Sequence, residues 1–268
     1  MTLSLRLEEP SDHRAVELLT REAFWGTEGP GCNEHLLVHR LRHAPSFVPE
    51  LDWVAQDDGV LVGHVIYSKA QVVGPDRAWD ALTFGPLSVL PEHQASGVGT
   101  ALMRHTLAEA ARLGHRAVVV YGHPDYYPRF GFRRGADVGI TAPGGVTFDA
   151  LMALPLVDGG LEGVRGEFRE DPVFHTLDET DVAAFDATFP PKEPAVTTSL
   201  DEIEGHVPAG VVDALRRAGF PNFELVLRMS SAELAALEGV GVDGCEGVRS
   251  YARSRGKRWG ATQAPSVR

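Results

Sequence analysis

The sequence predicts an α+β domain, a mixed central β-sheet flanked by helices, followed by a small all-α domain. Three observations predict it. Residues 82–89 read as an apolar strand, a short turn carries Gly97 and Gly99, and residues 100–114 form an amphipathic helix with Met103, Leu107, Ala110 and Ala111 on one face. Ala117–Tyr121 is an unbroken apolar run between Gly114 and Gly122, which suits a strand buried on both faces. The helix between the two runs makes them parallel. Finally, the texture changes at Pro190, Pro191 and Pro194, beyond which the pattern is helical.

The elements follow in order. Leu3–Leu7 alternates as a strand, and Ser11 is placed to cap a helix over residues 12–24. Residues 33–43 give a second helix. Residues 53–56 and 60–73 read as strands around Asp57-Asp58-Gly59, an Asp-Gly hairpin signal. Residues 80–89 are extended, with the strand core at 82–89. After Ala117–Tyr121 the sequence predicts a short helix over 125–130 and strands over 132–140 and 150–156. The second part gives helices over 207–218, 222–228, 231–237 and 245–254. The expected organisation is therefore a domain over 1–185, a Pro-rich linker over 186–200 and a helical domain over 201–268.

Composition narrows the function. The chain has 268 residues, 43% of them hydrophobic, enough for one large core or two smaller ones. Cys32 and Cys245 are the only cysteines, with no metal-ligand spacing, so a reducing cytoplasm is the expected location. The start Met1-Thr2-Leu3-Ser4-Leu5-Arg6 shows no signal-peptide core, and no apolar run approaches the roughly 20 residues that span a bilayer. Net charge is −12. Residues 195–268 carry nine acidic and nine basic residues, so the 28 acidic and 16 basic residues of positions 1–194 hold the whole excess. Such a field disfavours nucleic acid as a partner of the first part and suits a cationic amine.

The strand–turn–helix unit carries the chemistry. A turn of this kind aims several free N–H groups at one point, and the helix N-terminus adds partial positive charge, which makes a pyrophosphate cradle. Gly97 and Gly99 remove the Cβ atoms that would stand in the way. The motif Gln94-x-x-Gly97-x-Gly99, after Leu87-Ser88-Val89-Leu90-Pro91, resembles the acetyl-coenzyme A loop of the GNAT superfamily of N-acetyltransferases. The segment Tyr121-Gly122-His123-Pro124-Asp125-Tyr126-Tyr127-Pro128-Arg129-Phe130-Gly131-Phe132 is similar to the family's next landmark, a tyrosine four residues before Gly-Phe. The resemblance covers roughly residues 3–185 and is closest to the YhbS-related acetyltransferases.

The resemblance implies direct transfer of an acetyl group from acetyl-CoA, as cosubstrate, to a primary amine of a small molecule or protein. Backbone N–H groups of Ala95, Ser96, Gly97, Val98, Gly99 and Thr100 would hold the pyrophosphate, with Gln94 at the family's usual Arg or Gln. Leu87, Ser88 and Val89 would pair with the pantetheine and offer an N–H to the thioester carbonyl. Tyr127 would be the general acid, since a phenol stays protonated at neutral pH and can donate to a departing thiolate. Its neighbour Tyr126 is expected to point elsewhere, as a packing residue. Phe24 and Trp25 would form the acceptor-side wall. The general base stays open among Glu50, Asp52, His64, His93, Asp125 and a water chain. The acceptor's identity and the oligomeric state stay open too, with room for a homodimer.

Other patterns are weaker. His35, His39 and His43 form one stripe of the second helix, but His35 and His43 lie about 12 Å apart along its axis and cannot share an ion. No metal is expected. The acidic set Asp158, Glu162, Glu167, Glu170, Asp171, Asp178, Glu179 and Asp181 reads as a solvated face. No G-x-S-x-G or G-x-x-x-x-G-K-[ST] occurs, which argues against an α/β-hydrolase and a P-loop ATPase.

Residues 212–260 resemble the C-terminal domain of the bacterial RNA polymerase α subunit through Leu215, Ala218-Gly219-Phe220, Glu233-Leu234, Gly241, Val248 and Ser254-Arg255-Gly256. Gly239-Val240-Gly241 stands between two helices, as in a helix-hairpin-helix. At the family's DNA-contacting positions this chain has Gly210, Asp213, Asp243 and Gly244, although Arg249, Arg253, Arg255, Lys257 and Arg258 make a basic end. Two carboxylates would oppose a phosphate backbone, so the expected role of residues 201–268 is packing or a protein partner rather than DNA. The rival to an enzyme is a non-catalytic acyl-CoA-binding regulator acting through this module.

Overall fold

Two antiparallel ribbons and the helices laid across them organise the chain; the computed structural model describes residues 2–27 and 29–255. The first part runs β1 (Leu3–Leu7), α1 (His13–Phe24), α2 (Glu34–Leu41), β2 (Trp53–Asp57), β3 (Val60–Val65), β4 (Tyr67–Val73), β5 (Ala78–Phe84), β6 (Ser88–Val89), α3 (Val98–Arg112) and β7 (Ala117–Tyr121). It continues with β8 (Arg133–Arg134), β9 (Ile140–Thr141), β10 (Leu151–Pro155), β11 (Gly166–Arg169) and α4 (Glu179–Asp186). The second part holds α5 (Val211–Arg217), α6 (Phe223–Val226), α7 (Ser231–Ala236) and α8 (Gly241–Ser254).

The strands form one sheet of order β1-β2-β3-β6 and another of order β8-β10-β7-β5-β4-β11-β9. Pairing is antiparallel except for β5–β7 and β9–β11, which are parallel. Asp58 and Gly59 turn β2 into β3 with φ of 50° and 84°, the double positive-φ geometry that Asp-Gly favours. Val98, Leu102, Met103 and Ala110 of α3 pack on one face, against Ala55, Val62, Val65, Leu82, Val118 and Val120. Val16 of α1 and Val38 and Leu41 of α2 cover the other, over Val54 and Ile66. Val118, Val119 and Val120 are at most 2% exposed. Each contributes about 1.5–3 kcal/mol by burial, so the apolar run is a central strand as expected.

Several expectations are corrected. The residue capping α1 is Asp12, not Ser11, and its carboxylate is spent on Arg6 and the Glu9 N–H. The predicted strand over 60–73 divides at Ile66, and that over 80–89 breaks at Gly85, Pro86 and Leu87. The two breaks face each other, and the chain passes there from one sheet to the other. The predicted helix over 125–130 is a 3-10 turn, Tyr127–Phe130. The predicted strand over 132–140 is reduced to β8 and the start of β9, because Gly135–Val138 forms a 3-10 turn between them. Strand β11 and helix α4 were not foreseen; Asp178 caps α4 by accepting the Asp181 N–H at 2.8 Å. Helix α3 starts two residues before position 100, at Val98, because Gly97 caps it with φ of 99°.

The Pro-rich stretch runs along α1. Arg21 forks onto Asp186 at 2.6 and 3.0 Å, the Trp25 indole donates to the Glu193 carbonyl, and the Ala195 N–H donates to Pro30. Phe189 is buried beneath the Arg14 guanidinium. The C-terminal helices share a core of their own around Leu215, Phe223, Val226, Leu234, Val248 and Tyr251. Gly256, Lys257, Arg258 and Gly260, which the sequence reading used, lie outside the described residues. Among the described residues, no helix is long and apolar enough to cross a membrane.

Candidate active site

The site grows from one extra residue. Tyr67 faces Phe84 and His64 faces Ser88, so three steps along β3–β4 match four along β5–β6. That is a β-bulge at Gly85, Pro86 and Leu87, and Pro86 lacks the N–H that would continue the ladder. On its other edge β5 pairs with β7 at Leu82–Val118 only. Beyond that rung β6 follows β3 while β7 follows β10, and a wedge opens between Ser88–Val89 and the end of β7.

Backbone groups are left free on the wedge. Ladder bonds alternate in direction along an antiparallel strand. Leu90 donates to Val62, so the N–H of Val89 points away from β3, towards the wedge. The Leu87 N–H meets no acceptor among the described residues. The Val89 carbonyl takes the Gln94 side chain at 3.2 Å, so Gln94 pins the strand end to the turn.

The turn itself is a nest of donors. Ala95 has φ of 58° and Gly97 φ of 99°, both left-handed, and Ser96 Oγ holds the turn by donating to the His93 carbonyl at 2.5 Å. Among the described residues, none of the N–H groups of Ala95, Ser96, Gly97, Val98, Gly99 and Thr100 meets an acceptor within the protein. Ala95, Ser96 and Gly97 are exposed, Gly99 and Thr100 half-buried, and Val98 turns its side chain into the core. Consecutive free N–H groups at the positive end of a 15-residue helix form a concave anion site.

The two tyrosines divide the space beside the wedge. Tyr127 is 3% exposed, with its ring among Phe84, Tyr126 and Phe132 and against Gly122. Burial raises its phenol well above the ordinary value, with Tyr126 and Tyr67 adding to the effect, so it is protonated at neutral pH. Tyr126 does more than pack. Its hydroxyl stands 3.2 Å from where a Cβ on Gly99 would lie and interacts with the Thr100 side chain. Tyr126 therefore roofs the donor turn, a role the sequence reading missed. Adjacent residues of a 3-10 turn project about a third of a turn apart, so one tyrosine in the core places its neighbour on α3.

The base candidates scatter. Glu50 and Asp125 are exposed, and His93 flanks the donor turn. Asp52 and His64 meet in a buried cluster with Glu8: His64 Nε2 lies 2.8 Å from Asp52 Oδ1 and 4.0 Å from Glu8 Oε1. Arg42 forks onto both oxygens of Glu8 at 2.6 and 2.8 Å. Burial pushes the Asp52 carboxyl up to about 6 and the His64 imidazole down to about 4. These three are the only described residues grouped closely enough for a metal ion, and the Arg42 fork already occupies Glu8. The histidine stripe is divided among partners: His35 packs on Phe185 and Phe189 beside Asp186, and His39 bonds Glu17 at 2.9 Å. The acidic set is not a bare solvated face, since Asp181 pairs with Arg40 and Glu170 with His175. Phe24 is buried, and Trp25 lies beneath Arg21 and Lys192.

Comparison with known proteins agrees with this geometry. The model of the acetyltransferase (GNAT) domain matches residues 4–135. The uncharacterized N-acetyltransferase YhbS of Escherichia coli strain K12 is 34% identical over 165 residues, 60% of this chain and 92% of that protein. YjhQ of the same strain, also an uncharacterized N-acetyltransferase, is 37% identical over 136 residues, 50% of this chain and 71% of that one. The crystal structure of E. coli YhbS in complex with CoA superposes with a TM-score of 0.57 at 28% identity, covering 66% of this chain and 93% of that one. A GNAT family acetyltransferase from Brucella melitensis, in complex with acetyl-CoA, gives 0.51 at 28% identity, covering 64% and 97%.

Proposed function

The chain belongs to the GNAT family of N-acetyltransferases, and from that premise we propose that it moves the acetyl group of acetyl-CoA directly onto a primary amine of a small molecule or protein. Acetyl-CoA is the cosubstrate and supplies an activated thioester. The observation that carries the reading is the row of six free N–H groups from Ala95 to Thr100, opening α3 beside the wedge.

The roles follow from position. Ala95, Ser96, Gly97, Val98, Gly99 and Thr100 bind the pyrophosphate through their N–H groups, and Gln94 fixes the turn. The N–H groups of Leu87 and Val89, on either side of Ser88, hold the pantetheine as an added strand and polarise the thioester carbonyl. Tyr127, whose buried phenol is protonated at neutral pH, gives its proton to the sulfur as negative charge develops on it. The amine bonds to the acetyl carbon, the carbon–sulfur bond breaks, and the proton lost by the amine passes through water to restore the Tyr127 phenol. No acyl-enzyme is needed; burial raises the Cys32 thiol far above its ordinary value, which makes it a poor nucleophile.

We assign residues 1–185 to the transferase domain, 186–200 to a docked connection and 201–268 to a helix-hairpin-helix-like module. The separate apolar core and the α7–α8 hairpin support that division. The two free cysteines suit the cytoplasm. CoA-thiol release with polyamines, aminoglycosides, amino acids and peptide N-termini tests the activity. Tyr127→Phe is expected to lower kcat about 10²-fold, the low end for general acid catalysis, with acetyl-CoA affinity preserved. Full turnover in Tyr127→Phe, with loss in Tyr126→Phe, would move the role to Tyr126. Acetyl-CoA binding without turnover on every amine would favour the regulator.

A further inference from the structure

The C-terminal helices spend their best-placed polar groups on the tyrosine loop. Ser230 and Glu233 cap α7 reciprocally, each taking the other's backbone N–H at 3.0 Å. The same two side chains reach Asp149 just before β10: Ser230 Oγ donates to Asp149 Oδ2 at 3.0 Å, and the Asp149 N–H donates to Glu233 Oε1 at 2.9 Å. Ser230 is 3% exposed and the Asp149 side chain 23%, so this contact is half-buried. The next residue, Ala150, accepts the Gly122 N–H at 2.7 Å, and Gly122 is the floor on which the Tyr127 ring rests.

Within the loop, His123 gathers the bonds. His123 is 2% exposed, and its Nδ1 accepts the Asp125 N–H at 3.2 Å. Its carbonyl accepts the N–H groups of both Tyr126, at 2.9 Å, and Tyr127, at 3.3 Å. Burial lowers the pKa of this imidazole, and its Nε2 meets no hydrogen-bond partner among the described residues. The loop needs outside help, because a single 3-10 turn has too few bonds of its own to fix a side chain to a fraction of an ångström.

We propose that the C-terminal helices position the tyrosine loop for acetyl transfer, with Asp149 and Ser230 as positioning residues. The kinetic part rests on the acid role of the loop's tyrosine; the mechanical part does not. The test compares the full-length protein with Asp149→Ala and Asp149→Asn, measuring kcat, the KM for acetyl-CoA and amide hydrogen exchange. In Asp149→Ala the amides of residues 122–131 should exchange faster and kcat should fall, each by about 10-fold, the low end for a hydrogen bond to a charged group. Exchange in Val98–Arg112 and the KM should hold steady, because the donor turn lies on α3. Asp149→Asn keeps an oxygen for the Ser230 hydroxyl and should restore both quantities. Ser230→Ala attacks the bond from the other side, and the double variant should be no worse than the worse single one. Unchanged exchange in the loop overturns the clamp. Faster exchange with full kcat overturns its catalytic use. An Asp149→Asn variant as impaired as Asp149→Ala overturns the bond as the cause. If Tyr127→Phe turns over normally, the acid assignment falls while the exchange result still judges the clamp.

Discussion

Gly122→Ala isolates the tyrosine's position from its chemistry. A Cβ built on Gly122 would stand 2.4 Å from both Cδ2 and Cε2 of Tyr127, where ordinary contact begins at 3.4 Å. Backbone strain is not at issue, since Gly122 is outside the positive-φ glycines. The ring must retreat by about 1 Å, and Phe84 and Phe132 close its way out. Overpacking of this kind costs about 1–3 kcal/mol, or a fall in Tm of roughly 2–4 °C per kcal/mol for a chain of this size. A misplacement of about 1 Å costs on the order of 10²-fold in rate. Gly122→Ala should therefore lose kcat almost as heavily as Tyr127→Phe while keeping its hydroxyl and its acetyl-CoA affinity. Steady-state kinetics, calorimetric binding and thermal melting measure the three quantities. Gly29→Ala, where a Cβ meets nothing within 4 Å, is the control. A Gly122→Ala enzyme with native kcat would show that the Tyr127 ring does not set the rate; loss of acetyl-CoA affinity in step with kcat would place the damage in the donor turn.

Other outcomes follow from the same geometry. Gly97→Glu should abolish the rise in Tm with acetyl-CoA, because it brings a carboxylate to the anion site at a φ of 99°; Gly97→Ala separates backbone strain from charge, and a Glu variant of native affinity would remove the pyrophosphate assignment. Acidification should expose the buried dyad. His64, held near 4 by burial, refuses a proton the unfolded chain accepts from about 6.5 downward, so it costs stability as pH falls. Asp52, raised to about 6, takes its proton before the unfolded chain does and offsets that loss. Asp52→Asn should thus lose about 1 kcal/mol more than wild type between pH 7 and pH 5 in urea titrations, and parallel losses would contradict it. The full-length chain should bind duplex DNA weakly at physiological salt, since Asp213 and Asp243 stand where cations would be needed; a salt slope implying about four or more phosphate contacts would reverse that expectation.

The donor turn was legible because its chemistry is local. Gly97 and Gly99 announce a backbone that must approach phosphate, and the apolar run Ala117–Tyr121 announces a doubly covered strand. What stayed hidden depends on pairing. Residues 60–73 read as one extended run, and only the partner strand shows that Ile66 lies where two sheets part. Gly85-Pro86 did carry a signal, a residue with no N–H inside an apparent strand. Tyr126 was hidden because its role needs the position of α3. The bonds from Ser230 and Glu233 to Asp149 join residues about 80 apart, beyond the reach of periodicity or capping rules. Even the capping box at Ser230, readable from the sequence, gives no hint that its side chains also serve a second element.

The bulge at Gly85–Leu87 has a consequence for tolerance to insertion and deletion. A strand's two edges exchange with every residue counted. Removing one residue there would restore equal spacing across the ribbon, and Val89 would then turn its N–H towards β3 while Ser88 turned outward. The apolar Val89 side chain would replace the Ser88 hydroxyl opposite Thr20, to which it now lies at 3.0 Å. The sheet would mend and the crevice for the thioester arm would close. Surface loops in general change length at modest cost, but at this point the crevice depends on the parity of the residue count.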